Sequence, residues 1–279
     1  MKLLRFGPIG SEKPGLLDAA GNIRDLSGVI PDIDGSTVTP ESLARLRALD
    51  PASLPRVEGT ARLGACVARP GKFVCIGLNY ADHAAETGAA IPDEPIVFMK
   101  ATSALSGPND PILKPRGSTK LDWEVELAFV VGSDCRYVDE AEAAAAIAGY
   151  FVCNDVSERA FQLQSSQWDK GKGCDSFGPI GPWLVTPDEI GDIGNLHMWL
   201  EVNGKRFQNG STSTMIFRPA FILSYLSRFM SLQPGDIVTT GTPPGVGLGQ
   251  NPNVWLNSGD RVSLGIAGLG EQHQQVVDA

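Results

Sequence analysis

From about residue 72 onward the chain is a succession of short apolar runs separated by Gly, Pro, Asn and Asp: FVCIGL, EPIVFMK, WEVELAFVV, AGYFVCNDV, HMWLEVNG, DIVTTG and RVSLGIAG. Runs of that length, rich in Val, Ile, Phe and Trp and closed by turn residues, predict strands. Helical periodicity is sparse. It is confined to residues 40–49, where Thr39 stands as N-cap, and to residues 81–86, 139–148 and 221–229. The first segment carries KLLRFG, GLLD and AAGNIRDLSGV, and reads as a small β-rich unit. Pro51, Pro55 and the pair Pro70-Gly71 punctuate the stretch after residue 50, which places a boundary near residue 70, with a small N-terminal domain at 1–70 and a larger body at 71–279. The fold class is therefore a strand-rich α+β fold. No β-α-β alternation of the dinucleotide-binding kind is present.

Within this pattern, residues 121–131 (LDWEVELAFVV) break the rule that a strand buried on both sides is apolar. Side chains alternate across a strand, so Asp122, Glu124 and Glu126 share one face and Trp123, Val125, Leu127 and Phe129 the other. The acidic face continues into Ala128 and Val130, as an interior strand would. Two like charges roughly 7 Å apart in a dry setting repel by several kcal/mol unless neutralised, and a divalent cation is the natural partner. A solvated strand edge is the alternative. A third acid is offered by Asp155, where the apolar run of AGYFVCNDV ends in Asn154-Asp155, although such a pair also suits a plain turn. Three carboxylates suit Mg²⁺ or Mn²⁺, with positions left for water or substrate.

Composition narrows the setting. With 279 residues, 42% hydrophobic and 20% charged, the chain can bury a sizeable core. A net charge of −9 and the lack of a basic cluster argue against nucleic acid as a partner. Five cysteines, odd in number and without a CxxC pair, point to reduced thiols in a cytoplasmic protein. The longest uncharged alanine-rich stretch, residues 143–153, is too short to span a bilayer, so no membrane role is expected. TPPGVGLGQ (242–250) has three glycines but neither a GxGxxG nor a GK[ST], and reads as a tight turn beside a site.

A second constellation is NYADHAAETG (79–88), in which Asn79 can cap a short helix and Gly88 can end it. His83 and Glu86 then fall at i and i+3 on one face, a general-base geometry as well as a common surface ion pair. Lys100 and Lys172 could neutralise an anionic substrate. Arg159, four residues after Asp155, could hold a substrate carboxylate, with Gln162 one turn on. His197 and His273, the latter in a polar tail, are given structural or solvent roles.

GLNYADHAAE, LDWEVELAFVVG, NDVSERAFQ, WDKGKGCDSFGPIGPW, NGKRFQNGSTSTMIF and GDIVTTGTPPGVG occur between Gly77 and Gly247 in the order found in the fumarylacetoacetate hydrolase family. The chain resembles that family across its larger body. The resemblance implies a mixed, barrel-like β core, a Mg²⁺ or Mn²⁺ site on Glu124, Glu126 and Asp155, and a homodimer. It further implies a lid dyad of His83 and Glu86, a catalytic Lys172 near metal and substrate, and substrate contacts from Tyr80, Lys100, Arg159, Gln162 and Thr242. Family members share a small-molecule 2-oxo acid substrate but differ in reaction. The motifs look most like the subgroup that hydrolyses 2,4-diketo-3-deoxy sugar acids to pyruvate and a hydroxy acid. Decarboxylation of oxaloacetate, another lyase or isomerase reaction, or a non-catalytic metal-binding role are the alternatives.

Overall fold

A computed structural model describes residues 1–88 and 90–279. The strands are β1 (Lys2–Phe6), β2 (Lys13–Leu17), β3 (Ile23–Asp25), β4 (Phe73–Gly77), β5 (Ile96–Met99), β6 (Leu105–Ser106), β7 (Ile112–Lys114), β8 (Leu121–Asp122) and β9 (Val125–Val131). They continue as β10 (Ile147–Asn154), β11 (Ser157–Glu158), β12 (Gly178–Val185), β13 (His197–Val202), β14 (Lys205–Ser211), β15 (Ile237–Thr239), β16 (Arg261–Ile266) and β17 (Gly270–Asp278). The helices are short: α1 (Pro40–Arg47), α2 (Ala81–Thr87), α3 (Glu140–Ala146), α4 (Arg159–Gln162), α5 (Asp169–Lys172) and α6 (Pro219–Leu226).

One sheet runs β3-β2-β1-β12-β10-β9-β15-β4-β5, with β6 beside β12; a second runs β14-β13-β16-β17-β7; and β8 pairs with β11. The fold is the strand-rich α+β class read from the pattern. Neither large sheet closes among the described residues, so the barrel-like core takes the form of two open sheets that cover one another. Leu127 and Phe129 of β9 share one apolar cluster with Met198 and Leu200 of β13 and Leu264 of β16. Ala128 and Val130, on the opposite face of β9, pack with Leu3, Ile33 and Phe151 in another. The strand is thus dry on both sides, as its alternation requires.

The first seventy residues meet the body through β1, which pairs antiparallel with β12 at Lys2↔Val185 and Leu3↔Leu184. Thr39 caps α1 through the Ser42 amide, and Asp139 and Glu142 form a reciprocal capping box on α3. Two local expectations need correction. The N-cap of α2 is Tyr80, without a side-chain cap bond. Asn79 is fully buried and spans Phe217 N (2.7 Å), Phe217 O (2.9 Å) and Thr240 O (2.8 Å), because one cap bond would leave the rest of a buried amide unsatisfied. The polar tail is strand β17, whose inward face carries Gln272, Gln274 and Val276. His273 stands exposed on its outer face, bonded to Ser263, and His197 is likewise exposed, beside Asn209.

Candidate active site

Glu124, Glu126 and Asp155 converge at one end of the β9–β10 pair. Register sets Cys153 opposite Glu126 and Asn154 opposite Val125, so Asp155 leaves β10 level with Glu124 and donates its amide to the Glu124 carbonyl at 2.9 Å. The three carboxylates offer oxygens within 4.8 Å of one another, at 7%, 1% and 0% exposure. Burial this complete rules out a solvated strand edge. The compensating charges are unevenly shared. Lys172 Nζ bridges Glu124 Oε2 and Asp155 Oδ2, both at 2.8 Å, and Arg159 Nη2 reaches Glu124 Oε1 at 2.5 Å. Burial alone would push the Glu124 carboxyl up, but Lys172 and Arg159 outweigh it and hold it well below the usual carboxylate range. Among the described residues no such ion pair goes to Glu126, which accepts the Gly241 amide at 2.9 Å. Burial, with Asp155 and Glu124 adding to it, pushes its carboxyl well above the ordinary value.

Lys100 lies behind Asp155. Its ammonium is 2.5 Å from Asp155 Oδ1, yet it donates to the carbonyls of Val156 (3.1 Å) and Lys172 (2.5 Å), and Oδ1 itself accepts no hydrogen bond. An acid without a cationic partner, Glu126, whose oxygens lie within 4.8 Å of those of Glu124 and Asp155, fits a hard divalent cation held by the three acids. The inventory agrees: four buried carboxylates, counting Asp122, face three buried cations, Lys100, Arg159 and Lys172.

A cavity of about 260 Å³ opens onto this cluster and is lined by Glu124, Glu126, Lys172, Arg159, Gln162, Thr242 and His83 among others. His83 Nδ1 meets Glu86 Oε2 at 3.0 Å, and Glu86 also accepts the Gly245 amide at 3.0 Å, which ties α2 to the 242–249 turn. Gly88 ends α2 in the left-handed conformation at φ +66°, as its position predicts. Arg159 spends Nε on Asp122 (2.8 Å), Nη1 on Gln162 (2.9 Å) and Nη2 on Glu124, leaving two of its five N–H donors for a substrate. Thr242 donates to Val125 O at 2.9 Å and accepts from Gln208 at 2.8 Å, so its hydroxyl is largely engaged.

Two expected substrate contacts are displaced from the cavity. Tyr80 is fully buried, its hydroxyl on Met198 Sδ at 3.2 Å, and Lys100 serves Asp155 from behind. Both are pulled inward because each finds its partners there rather than at the opening. Four residues that pattern reading left without a role position the site. Asp122, fully buried, accepts the amides of Gly247 (2.6 Å) and Leu248 (3.0 Å) as well as Arg159. Gln208 joins Val125 N (2.9 Å) to Pro243 O (2.8 Å). Gln274 accepts from Asn154 at 3.1 Å, and Asn154 in turn accepts the Glu124 amide at 3.1 Å. The available signal was polar residues at inward positions of apolar or alternating strands.

Known proteins match the chain along its length. Residues 72–277 match the family model described as fumarylacetoacetate (FAA) hydrolase C-terminal. A Burkholderia cenocepacia protein whose name proposes hydrolase activity, without a substrate, is 60% identical over 281 residues, covering 100% of both chains. The solved fumarylacetoacetate hydrolase of Exiguobacterium antarcticum superposes with a TM-score of 0.89 at 35% identity, again over 100% of both chains. A maleylpyruvate hydrolase from Sphingobium, solved with manganese(II) and pyruvate, has a TM-score of 0.84 at 28% identity over 100% of both. A 2-hydroxyhepta-2,4-diene-1,7-dioate isomerase from Mycobacterium marinum has a TM-score of 0.76 at 32% identity, over 100% of this chain and 98% of that one. Matches of this extent make the chain a member of the fumarylacetoacetate hydrolase family of enzymes.

Proposed function

We propose that the protein hydrolyses the carbon–carbon bond of a 2,4-diketo acid, releasing pyruvate and the acid of the acyl group. The observation that carries this reading is that His83, oriented by Glu86, lines the same cavity as Glu124, Glu126 and Lys172. Glu124, Glu126 and Asp155 would hold Mg²⁺ or Mn²⁺, which when bound supplies positive charge to the substrate's carboxylate and 2-keto oxygens and to the charge that develops on them. With Glu86 accepting from Nδ1–H, His83 takes a proton from water at Nε2. The hydroxide adds to carbon 4, the C3–C4 bond breaks, and its electron pair stays on carbon 3. Proton return from His83 completes the methyl of pyruvate, and carbon 4 leaves as a carboxylic acid that gives its proton to solvent. Arg159 and Gln162 orient the substrate, and Lys172 holds Glu124 and Asp155 in place. The manganese and pyruvate named for the Sphingobium neighbour support this reading.

The isomerase neighbour favours a second reading, a rearrangement or decarboxylation of a 2-oxo diacid such as oxaloacetate that needs no water. A panel of acylpyruvates, a 2,4-diketo-3-deoxy sugar acid and oxaloacetate, with and without EDTA, separates the two. Hydrolysis in ¹⁸O-labelled water puts label into the non-pyruvate carboxylate. A kcat/KM for oxaloacetate more than about tenfold above that for every diketo acid overturns the hydrolase reading. A homodimer belongs to the same proposal, supported by Val97, Met99 and Phe229, exposed apolar residues on β5 and just after α6; light scattering tests it. A cytoplasmic location fits five cysteines that form no disulfide.

A further inference from the structure

The cavity lining is of two chemical kinds. Its charged residues, the floor, are Glu124, Glu126, Arg159 and Lys172. Its apolar residues, the wall, are Ile76, Phe98, Leu163, Trp168, Val246 and Leu248, of which only Trp168 carries a polar atom in its side chain. Phe98 and Trp168 meet edge to face, with centroids 5.3 Å apart and planes at 60°. Lys172 Nζ stands 5.0 Å from the Phe98 centroid, so the aromatic corner begins where the charged floor ends. Space for the indole comes from Gly77, where a Cβ would meet Trp168 Cζ3 at 2.6 Å. Leu163 is 59% exposed and has no share in the core, so its apolar side chain is not explained by folding. Val246 and Leu248 belong to the turn that Asp122 anchors through the Gly247 and Leu248 amides.

From this wall we infer that the acyl end of the substrate is recognised by apolar contact. The substrate class is 2,4-diketo acids with an aliphatic or aromatic acyl group, and polyhydroxylated acyl chains are disfavoured, contrary to the sugar-acid substrate that the motif resemblance implies. The inference rests on the proposed reading that a 2-oxo acid head occupies the charged floor. The head then leaves carbon 5 and beyond against Phe98, Trp168 and Leu163. A methylene there is removed from water and gains about fourfold in binding. A hydroxyl there gives up water and meets at most one polar side-chain group of the wall, the Trp168 indole N–H.

Two measurements on the purified protein with Mn²⁺ test this. The first is kcat/KM for acetyl-, butanoyl-, hexanoyl- and benzoylpyruvate beside a 2,4-diketo-3-deoxy sugar acid. The expected result is a rise of about fourfold per methylene over the first few carbons, with the sugar acid below hexanoylpyruvate. Trp168→Ala lowers the hexanoyl-to-acetyl ratio at least tenfold. The second is calorimetric binding of 2-oxohexanoate against 2-keto-3-deoxygluconate, equal in carbon number. The first should bind at least tenfold tighter, and the surface change Leu163→Asn should narrow that ratio. If no diketo acid is cleaved but 2-oxohexanoate keeps its preference, the hydrolase reading falls and the apolar wall stands. If diketo acids are cleaved with the hydroxylated one preferred, or the series is flat, the inference is overturned and the hydrolase reading stands. Equal binding of the two six-carbon acids also overturns it.

Discussion

Glu124 and Glu126 are two residues apart on one strand face and meet opposite electrostatic fates. Glu124 is the partner of Lys172 and Arg159, whereas Glu126 faces a backbone amide and two acids. In EDTA, Glu124→Gln should therefore cost about 3 kcal/mol, since it takes one of two carboxylate partners from each of two buried cations. Glu126→Gln should leave the melting temperature level or higher, because an amide resembles the protonated carboxyl that the site already favours. Both should abolish activity. Thermal denaturation of the metal-free variants checks the order, and a less stable Glu126→Gln would refute the argument. His83→Asn and Glu86→Gln should each slow turnover by about 10² to 10⁴ with little change in metal affinity, as neither is one of the three acids proposed to hold the ion. Single-turnover rates and metal titrations measure the two effects separately.

Short elements do the positioning. Helix α2 and the 242–249 turn are joined by Glu86, whose carboxylate lies 2.8 Å from where a Cβ on Gly249 would stand. Gly249→Ala should displace that carboxylate at small cost in stability and reduce kcat at least tenfold. Gly191→Ala, where a Cβ meets nothing, is the control. Strand β17 acts at greater range: Gln274→Leu removes the partner of the Asn154 amide nitrogen, the Pro108 carbonyl and the Gln272 amide oxygen, and should cost about 2–4 kcal/mol in urea unfolding. The core strands were legible because Val, Ile and Phe cluster in them. Strands β14 and β17 were not, since polar residues on both faces erase the alternation that marks a strand. Asn79 misled for a related reason, as a cap residue and a buried cross-linker have the same side chain.

At the scale of the whole molecule, the first seventy residues complete the sheet that carries the site. β1 covers the edge of β12, and Leu3, Leu26, Ile33 and Val38 share a core with Ala128, Val130 and Phe151. The fragment 71–279 should accordingly expose that core and aggregate or melt far below the full chain, as sedimentation and circular dichroism would report. Sequence spacing revealed which residues share a face, and so the acids, Asp155 and the His–Glu pair were readable. Depth was not readable: that Lys100 lies behind Asp155 and Tyr80 within the core depends on contacts between distant segments. The amide chain from Gln274 through Asn154 to the Glu124 N–H has a further consequence, in time rather than space. Those side-chain amide protons are shut between two sheets, and they can trade places with deuterium only when the sheets part. Their exchange lifetimes, read by nuclear magnetic resonance, would be a clock for how often the acidic cluster comes apart, independent of any turnover.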